Sequence, residues 1–449
     1  MGEYRSADRL QENSLIPNTL GGLTRTGRTS HFWIALMLLA VLLLASCAPA
    51  TSAPALQPTT VPSATSAPTA TPRPSPTPNP FPNPVLKITG EEEVVFDWTT
   101  DRCEPENIPD LATRAFRDAT GLVHLLISHY VDYQMTGPDL NQLTPDCIRL
   151  MISDYDRDPS MYNDSEWIAS PYTEDGKTVY ALVHNEYRGH THPGQCPSGD
   201  YFDCLDTSIT LAVSRDSGAT FADVSEPPGH LVATLPHQWM AGAGPFGIRN
   251  PSNIIKGKDG LYYAFSNVSQ YDTQRQWVCL MRSDDLSDPA SWRYWDGTGF
   301  DGRFINPYVE TASGLFANVC GELALDQIGA SLNDSITYNT YLGRYVLVGL
   351  SADQVGGREL WGIYYSFSDD LIHWSHRKPL AEMPLPWTVG NPGADLSILY
   401  PALLDPASDS RNFETTGKTA YLYYTRMNRG AGSLDRDLIR IPVEFLPKP

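Results

Sequence analysis

From about residue 90 the apolar positions fall in short alternating runs that recur as a two-part unit. A polar entry leads into an apolar strand, a glycine-containing turn and a second strand rich in Tyr, Val and Leu. A further apolar strand follows and ends in a Ser/Asp turn, with an aromatic a few residues on. The first copy takes residues 114–118, 121–127 and 147–152. The second takes 166–171, 179–183 and 209–213, and the third 249–255, 261–265 and 277–281. The fourth takes 336–341, 345–348 and 362–365, and a fifth runs through 400–404, 419–424 and 438–443. No helix-period segment is longer than ten residues, apart from a short one near 110–116. Copies about 60 to 85 residues apart, each with four short strands, have the pattern of propeller blades. Two stacked sandwiches would not return one unit four or five times. The pattern predicts an all-β, five-bladed β-propeller over residues 90–449, with residues 93–98 (EVVFDW) pairing onto the last blade to hide its edge.

Ahead of this region stands an apolar run of 13 residues, 32–44, flanked by Arg25 and Arg28 and ending in Leu44-Ala45-Ser46-Cys47. The run is short for a membrane span and right for the core of a signal peptide. Its end resembles the lipobox of bacterial lipoproteins, which implies removal of residues 1–46 and lipidation of Cys47. Residues 47–84 are mostly Pro, Thr, Ser and Ala, with 12 of the 37 prolines and Arg73 as the one charge. Such a stretch cannot bury a core and reads as a disordered tether.

The 32 Lys+Arg against 52 Asp+Glu give a net charge of −20, which argues against nucleic acid as a partner. Without Cys47, six cysteines remain. An even number in an exported chain implies disulfides, and sequence neighbours suggest Cys196–Cys204, Cys279–Cys320 and Cys103–Cys147.

Residues 214–221 (SRDSGATF) match the Asp-box of sialidase-like propellers, and 368–374 (SDDLIHW) resembles a hairpin of five-bladed glycosidases of the arabinanase, xylosidase and invertase type. Arg249-Asn250-Pro251-Ser252, followed by residues 259–263 (DGLYY), is similar to their blade-opening pattern. The resemblance implies a fold more than a chemistry. In these hairpins Ser and Asp bond backbone amides, so Asp216, Asp284 and Asp370 are expected to be structural.

Propellers bind ligands at the channel mouth, where inner strands begin and second strands end. Those positions carry Asp110, Arg114, His129, Glu166, His184, Asn185, Glu186, Tyr187, Arg249, Asn250, Asn253, Asp334, Asp395, Tyr400 and Arg426. Glycoside hydrolysis needs one protonated and one ionised carboxyl group. The resemblance places a base or nucleophile at the start of the first inner strand, near Asp110. Glu186, in the cluster 183–192 (VHNEYRGHTH), is the first choice for the acid, and Glu166 and Asp395 are further catalytic candidates. Arg114, His129, His184, Asn185, Tyr187, Arg249, Asn250, Asn253, Tyr400 and Arg426 are candidates for binding substrate. Arg114, Arg249 and Arg426 also admit a sialidase-like site for acidic sugars, although the adjacent Glu186 and Tyr187 should point to opposite faces. His184, His190 and His192 match no metal-ligand spacing. No metal site or cofactor is assigned, and a structural calcium in the funnel is left open. These features together predict an exported monomer, lipid-anchored on the extracytoplasmic face of the cell membrane, that handles oligosaccharide or polysaccharide as a glycoside hydrolase. A non-catalytic glycan-binding lipoprotein is the alternative.

Overall fold

The computed structural model describes residues 81, 83–314, 317–388, 396–430 and 432–447. The expected signal peptide, Cys47 and nearly all of the tether lie outside the described residues, as does Asp395.

Five antiparallel units follow one another along the chain. Blade 1 is Ala115–Arg117, Val123–Ile127, Tyr133–Gly137 and Thr144–Asp146. Blade 2 is Ser165–Tyr172, Val179–Arg188 and Leu205–Ser214, edged by Ala222–Asp223 and Leu231–Ala233. Blade 3 runs from Phe246–Arg249 and Ile255–Lys256 through Tyr262–Ser269 and Gln276–Ser283 to Arg293–Tyr294. Blade 4 is Ser335–Asn339, Arg344–Val355, Arg358–Ser368 and Lys378–Glu382. Blade 5 is Ser397–Leu404, Thr419–Met427 and Arg436–Leu446.

The sheets close into a ring because each packs on the next through its own apolar layer. Ile168 and Val183 meet Phe116 and Leu126 between blades 1 and 2. Ile209, Phe246 and Val268 join blades 2 and 3, and Phe265, Leu280, Ile336 and Tyr364 join blades 3 and 4. Val348, Ile363, Leu403 and Tyr424 join blades 4 and 5, and Leu125, Met135, Leu404 and Tyr423 bring blade 5 back to blade 1. Because each sheet is packed on both faces, strands such as Ser165–Tyr172 and Leu205–Ser214 are buried along their whole length.

Nearer the axis, where strands converge, small polar residues satisfy the backbone of the neighbouring blade. Ser128 donates to the Ile168 carbonyl at 2.6 Å, and Asn253 both donates to and accepts from the Ile336 backbone at 2.7 and 2.9 Å. Ser335 Oγ accepts from Leu403 N at 3.1 Å, and Thr425 donates to the Pro109 carbonyl at 3.0 Å. Blades 2 and 3 are also joined by a parallel pairing of Phe246 with Asp206 and Gly247 with Thr207. Gly247 has φ +122°, and a Cβ there would lie 2.1 Å from the Thr207 carbonyl oxygen, so only glycine allows this approach.

The expected closing strand is present. Glu93–Phe96 pairs with Arg436–Leu446, with Glu93 opposite Arg440 and Phe96 opposite Leu438. A second strand, Val85–Ile88, lies ahead of the residue-90 start expected from the pattern and pairs with the same partner. It is held by Leu86, which is buried between blades 4 and 5. The short helical period near 110–116 gives extended chain instead: Asp110 N bonds the Ser128 carbonyl, and Leu126 N bonds the Arg114 carbonyl. Pairing with the second strand overrides the local period.

All three expected disulfides are present, Cys103–Cys147, Cys196–Cys204 and Cys279–Cys320, with Cα separations of 5.4, 5.9 and 5.8 Å. Three such bridges mark a chain that folds in an oxidising, extracytoplasmic compartment.

Candidate active site at the channel mouth

The chain runs down each inner strand and back up the second, so inner-strand starts and second-strand ends meet on one rim. Asp110 stands just before the inner strand of blade 1. Its Oδ1 is ion-paired with Arg436 and lies 3.4 Å from the Tyr400 hydroxyl, which donates to it. Its Oδ2 is 3.8 Å from His129 Nε2. His129 is fully buried and bonds the Glu106 carbonyl through Nδ1 at 2.7 Å; burial lowers its pKa to about 4, against the pull of Asp110, so the ring is neutral at pH 7.

Glu186, near the end of the second strand of blade 2, accepts from the Tyr201 hydroxyl at 2.8 Å and lies 3.3 Å from His184 Nε2. Asn250 N donates to His184 Nδ1 at 3.5 Å, which leaves Nε2 as the nitrogen that donates to Glu186. Burial pushes the Glu186 carboxyl up, but the His184 bond, the nearby Arg188 charge and the Tyr201 bond outweigh it and hold the group below its usual range. Glu186 is therefore an ionised group at neutral pH, which disfavours it as the proton donor.

Asp334 precedes the inner strand of blade 4. Burial pushes its pKa up to about 7, opposed by a 3.1 Å bond from Leu350 N and by the Arg114 charge. Among the described carboxyl groups beside Tyr400, this one is poised to hold a proton near neutrality. Asp110, Glu186 and Asp334 all act on the Tyr400 phenol, and with burial they hold it protonated. Tyr400 has φ +57°, at a register shift between Leu399 and Ala402. Such a bulge re-aims a side chain and is common beside functional sites. A small cavity lined by Arg114, Asn250, Asp334 and Tyr400 has about 10 Å³ for a water centre, room for a single water.

Arg249 completes the rim. Its Nε donates to Asn267 Oδ1 at 3.2 Å, and Asn267 is anchored on the Ala330 carbonyl at 2.7 Å. Arg188 lies over the rings of Tyr130 and Tyr201, 5.3 and 5.7 Å from their centroids.

Of the residues expected at the mouth, Asp110, His129, His184, Glu186, Arg249, Asn250, Asp334 and Tyr400 converge there. Others do not. Arg114 is buried, donates to the Asp334 carbonyl and forms part of the cavity wall rather than a free contact. Tyr187 points the other way from Glu186, donating to the Arg157 carbonyl at 2.8 Å and packing on Trp239. Asn185 is buried against Ser208, and Asn253 is spent on joining blades 3 and 4. Arg426 is paired with Glu92 and Asp437 at 3.0 and 3.1 Å. Glu166 faces away from the rim, because Trp167, next in the strand, takes the side of Tyr130 and His184.

Arg188, Tyr201 and Arg436 were not among the expected residues. Arg188 was open to inference, since it lies two positions after Glu186 and so on the same strand face. The other two come from a disulfide-clamped loop and from a third strand, where a blade pattern gives no reason to look.

The remaining expected aspartate roles are structural. Asp216 accepts from Thr220 N at 3.0 Å and from the Thr220 hydroxyl at 2.6 Å. Asp370 accepts from Ile372 N and His373 N at 3.0 and 2.8 Å. In the third hairpin it is Asp285, rather than Asp284, that accepts from Ser287 N, at 2.8 Å.

No protein family matches the sequence, and no curated protein does. Among solved structures, the chain is similar to an endo-arabinase from Bacteroides thetaiotaomicron, at 11% identity over 78% of this chain and 97% of that chain, with a TM-score of 0.43. It is similar to the catalytic domain of an α-L-arabinofuranosidase from Coprinopsis cinerea, at 12% identity over 80% and 97%, with a TM-score of 0.42. It is equally similar to an N-acetylgalactosamine deacetylase from F. plautii, at 12% identity over 80% and 96%, with a TM-score of 0.43. These three proteins catalyse different reactions, so the functional argument rests on the residues of the mouth.

Proposed function

We propose that the propeller is a glycoside hydrolase that takes an oligosaccharide or polysaccharide at this mouth. The observation that carries the reading is the 3.4 Å contact of the Tyr400 hydroxyl with Asp110, with Asp334 lining one small cavity beside the same tyrosine. In this reading Asp334 gives its proton to the departing glycosidic oxygen. Asp110, oriented by Arg436 and Tyr400, acts on water or on the anomeric carbon. Glu186, ionised and fixed by His184 and Tyr201, supports the positive charge that develops on the sugar ring. Arg188, laid over Tyr130 and Tyr201, and Arg249 offer charged donors to sugar hydroxyls. The signal and lipobox-like sequence extend the proposal to a chain tethered through Cys47 to the outer face of the cell membrane.

A screen of chromogenic glycosides, with Asp110→Asn, Glu186→Gln and Asp334→Asn variants, tests this. Turnover by the parent that falls at least about 100-fold in Asp110→Asn and Asp334→Asn is expected. A parent that turns over no substrate, yet binds glycans as tightly as all three variants do, points instead to a glycan-binding protein.

One contact favours a second reading. The 2.8 Å bond between the Tyr201 hydroxyl and Glu186 pairs a phenol with a base, with Arg188 and Arg249 nearby. That grouping suits an acidic sugar, attacked by Tyr201 and gripped through its carboxylate by arginine. Tyr201→Phe separates the readings: it abolishes turnover only if the phenol is the nucleophile.

A further inference from the structure

Glu166 turns its carboxyl to the face of blade 2 opposite Trp167. There it meets Asp223, in the short strand Ala222–Asp223, and His230, which precedes Leu231–Ala233. One ligand atom from each of the three lies within 4.8 Å of the others. Glu166 is 2% exposed and His230 0%, whereas Asp223 keeps 17% of its side chain open and gives a path from solvent.

The polar atoms of this group are under-used. Among the described residues, no donor outside the Glu166–Asp223 pair reaches Glu166 Oε1 or Asp223 Oδ1, and His230 Nδ1 has no partner. Buried polar atoms are nearly always satisfied, and facing carboxylates repel unless a proton or a cation lies between them. His230 Nε2 is 3.2 Å from the Tyr162 carbonyl and 3.8 Å from Asp223 Oδ2, which sets the ring against the carboxyl pair. Asp154 adds a further negative charge that acts on both Glu166 and Asp223.

We propose that Glu166, Asp223 and His230 form a binding site for a divalent transition-metal cation of the Zn²⁺ or Mn²⁺ kind. An imidazole with two carboxylates suits these ions, whereas Ca²⁺ takes six to eight oxygens, more than this group supplies. The ligand atoms close by a further ångström or so when the ion binds. The site differs from the sugar mouth in place and in role. It links the innermost strand of blade 2 to its outer edge, two parts of the sheet that pair with other strands and not with each other.

The test uses the full chain freed of metal with a chelator, titrated calorimetrically with Zn²⁺, Mn²⁺ and Ca²⁺ while thermal unfolding is followed. One Zn²⁺ or Mn²⁺ should bind per chain and raise the melting temperature. Binding should weaken at least about tenfold in Glu166→Gln and in His230→Gln. If circular dichroism shows that either variant does not fold, Asp223→Asn, at the open side of the group, carries the same comparison. Failure of the parent to bind, preference for Ca²⁺, or undiminished binding in the variants would overturn the assignment. So would a metal-free parent that is less stable than Glu166→Gln and takes up no ion, because the two carboxyls then share a proton instead.

Discussion

Replacing Asp334 by Asn isolates the tension between stability and chemistry at the mouth. Burial moves the Asp334 carboxyl from its ordinary 3.8 to about 7, and ionising it in the folded chain then costs up to about 4 kcal/mol. The folded value lies above the unfolded one, so the penalty is absent below pH 3.8, grows between there and about pH 7, and is complete above that. Asn keeps the shape and an oxygen to accept from Leu350 N but cannot ionise. At pH 8 the variant should therefore melt higher, by about 4–8 °C for a chain of this size. Near pH 4 the two proteins should melt together. Turnover should move the other way, falling at least about 100-fold, because the donated proton is gone. In the parent, activity should decline as pH rises through about 7, where Asp334 loses its proton. Differential scanning calorimetry at the two pH values, with rates measured on the same samples, checks both halves. A variant that melts no higher than the parent at pH 8, or is stabilised equally at pH 4, would refute the reasoning.

Three further outcomes follow from packing and pairing. Gly218→Ala should destabilise by about 2–4 kcal/mol in chemical denaturation, since φ is +91° and a Cβ there would lie 2.3 Å from the Phe116 ring. Arg436→Met strands the Asp110 carboxylate and should cost about 3–5 kcal/mol, with much of it recovered in the Arg436→Met/Asp110→Asn double variant, as a double-mutant cycle would register. Leu86→Ala should cost about 2–4 kcal/mol by urea unfolding, because this side chain fastens the strand Val85–Ile88 into the layer between blades 4 and 5.

The architecture was legible because a blade repeats its grammar. Alternating apolar residues, a glycine turn and a Ser/Asp hairpin recur in blades 2 to 4, and EVVFDW had no partner left except the last blade. In blade 1 the third strand is Tyr133–Gly137, and the apolar run 147–152 expected there is irregular chain. The cysteines paired as sequence neighbours, at separations of 44, 8 and 41 positions, because each bridge stays within or beside one blade. The first strand, Val85–Ile88, was hidden by the prolines just before it. At the mouth, strand ends located Asp110 and Glu186, but strand phase decided the rest. One residue of phase sends Glu166 and Tyr187 to the far faces of blade 2. The protonation of Asp334 depends on how deeply the ring buries it, and the positions of Tyr201 and Arg436 depend on a loop and a third strand that fold over the rim. None of these leaves a periodic trace.

The bridge between Cys196 and Cys204 spans only 8 positions, and Tyr201 lies inside it. Closing a loop this short removes about 2.5 kcal/mol of freedom from the unlinked chain, and it fixes the segment that lays the phenol on Glu186. A molecule whose thiols had not yet been joined would hold its carboxyls in register on the rigid strands while this one ring swung free. If the mouth cleaves sugars as proposed, its last piece would be set only once these two thiols are joined.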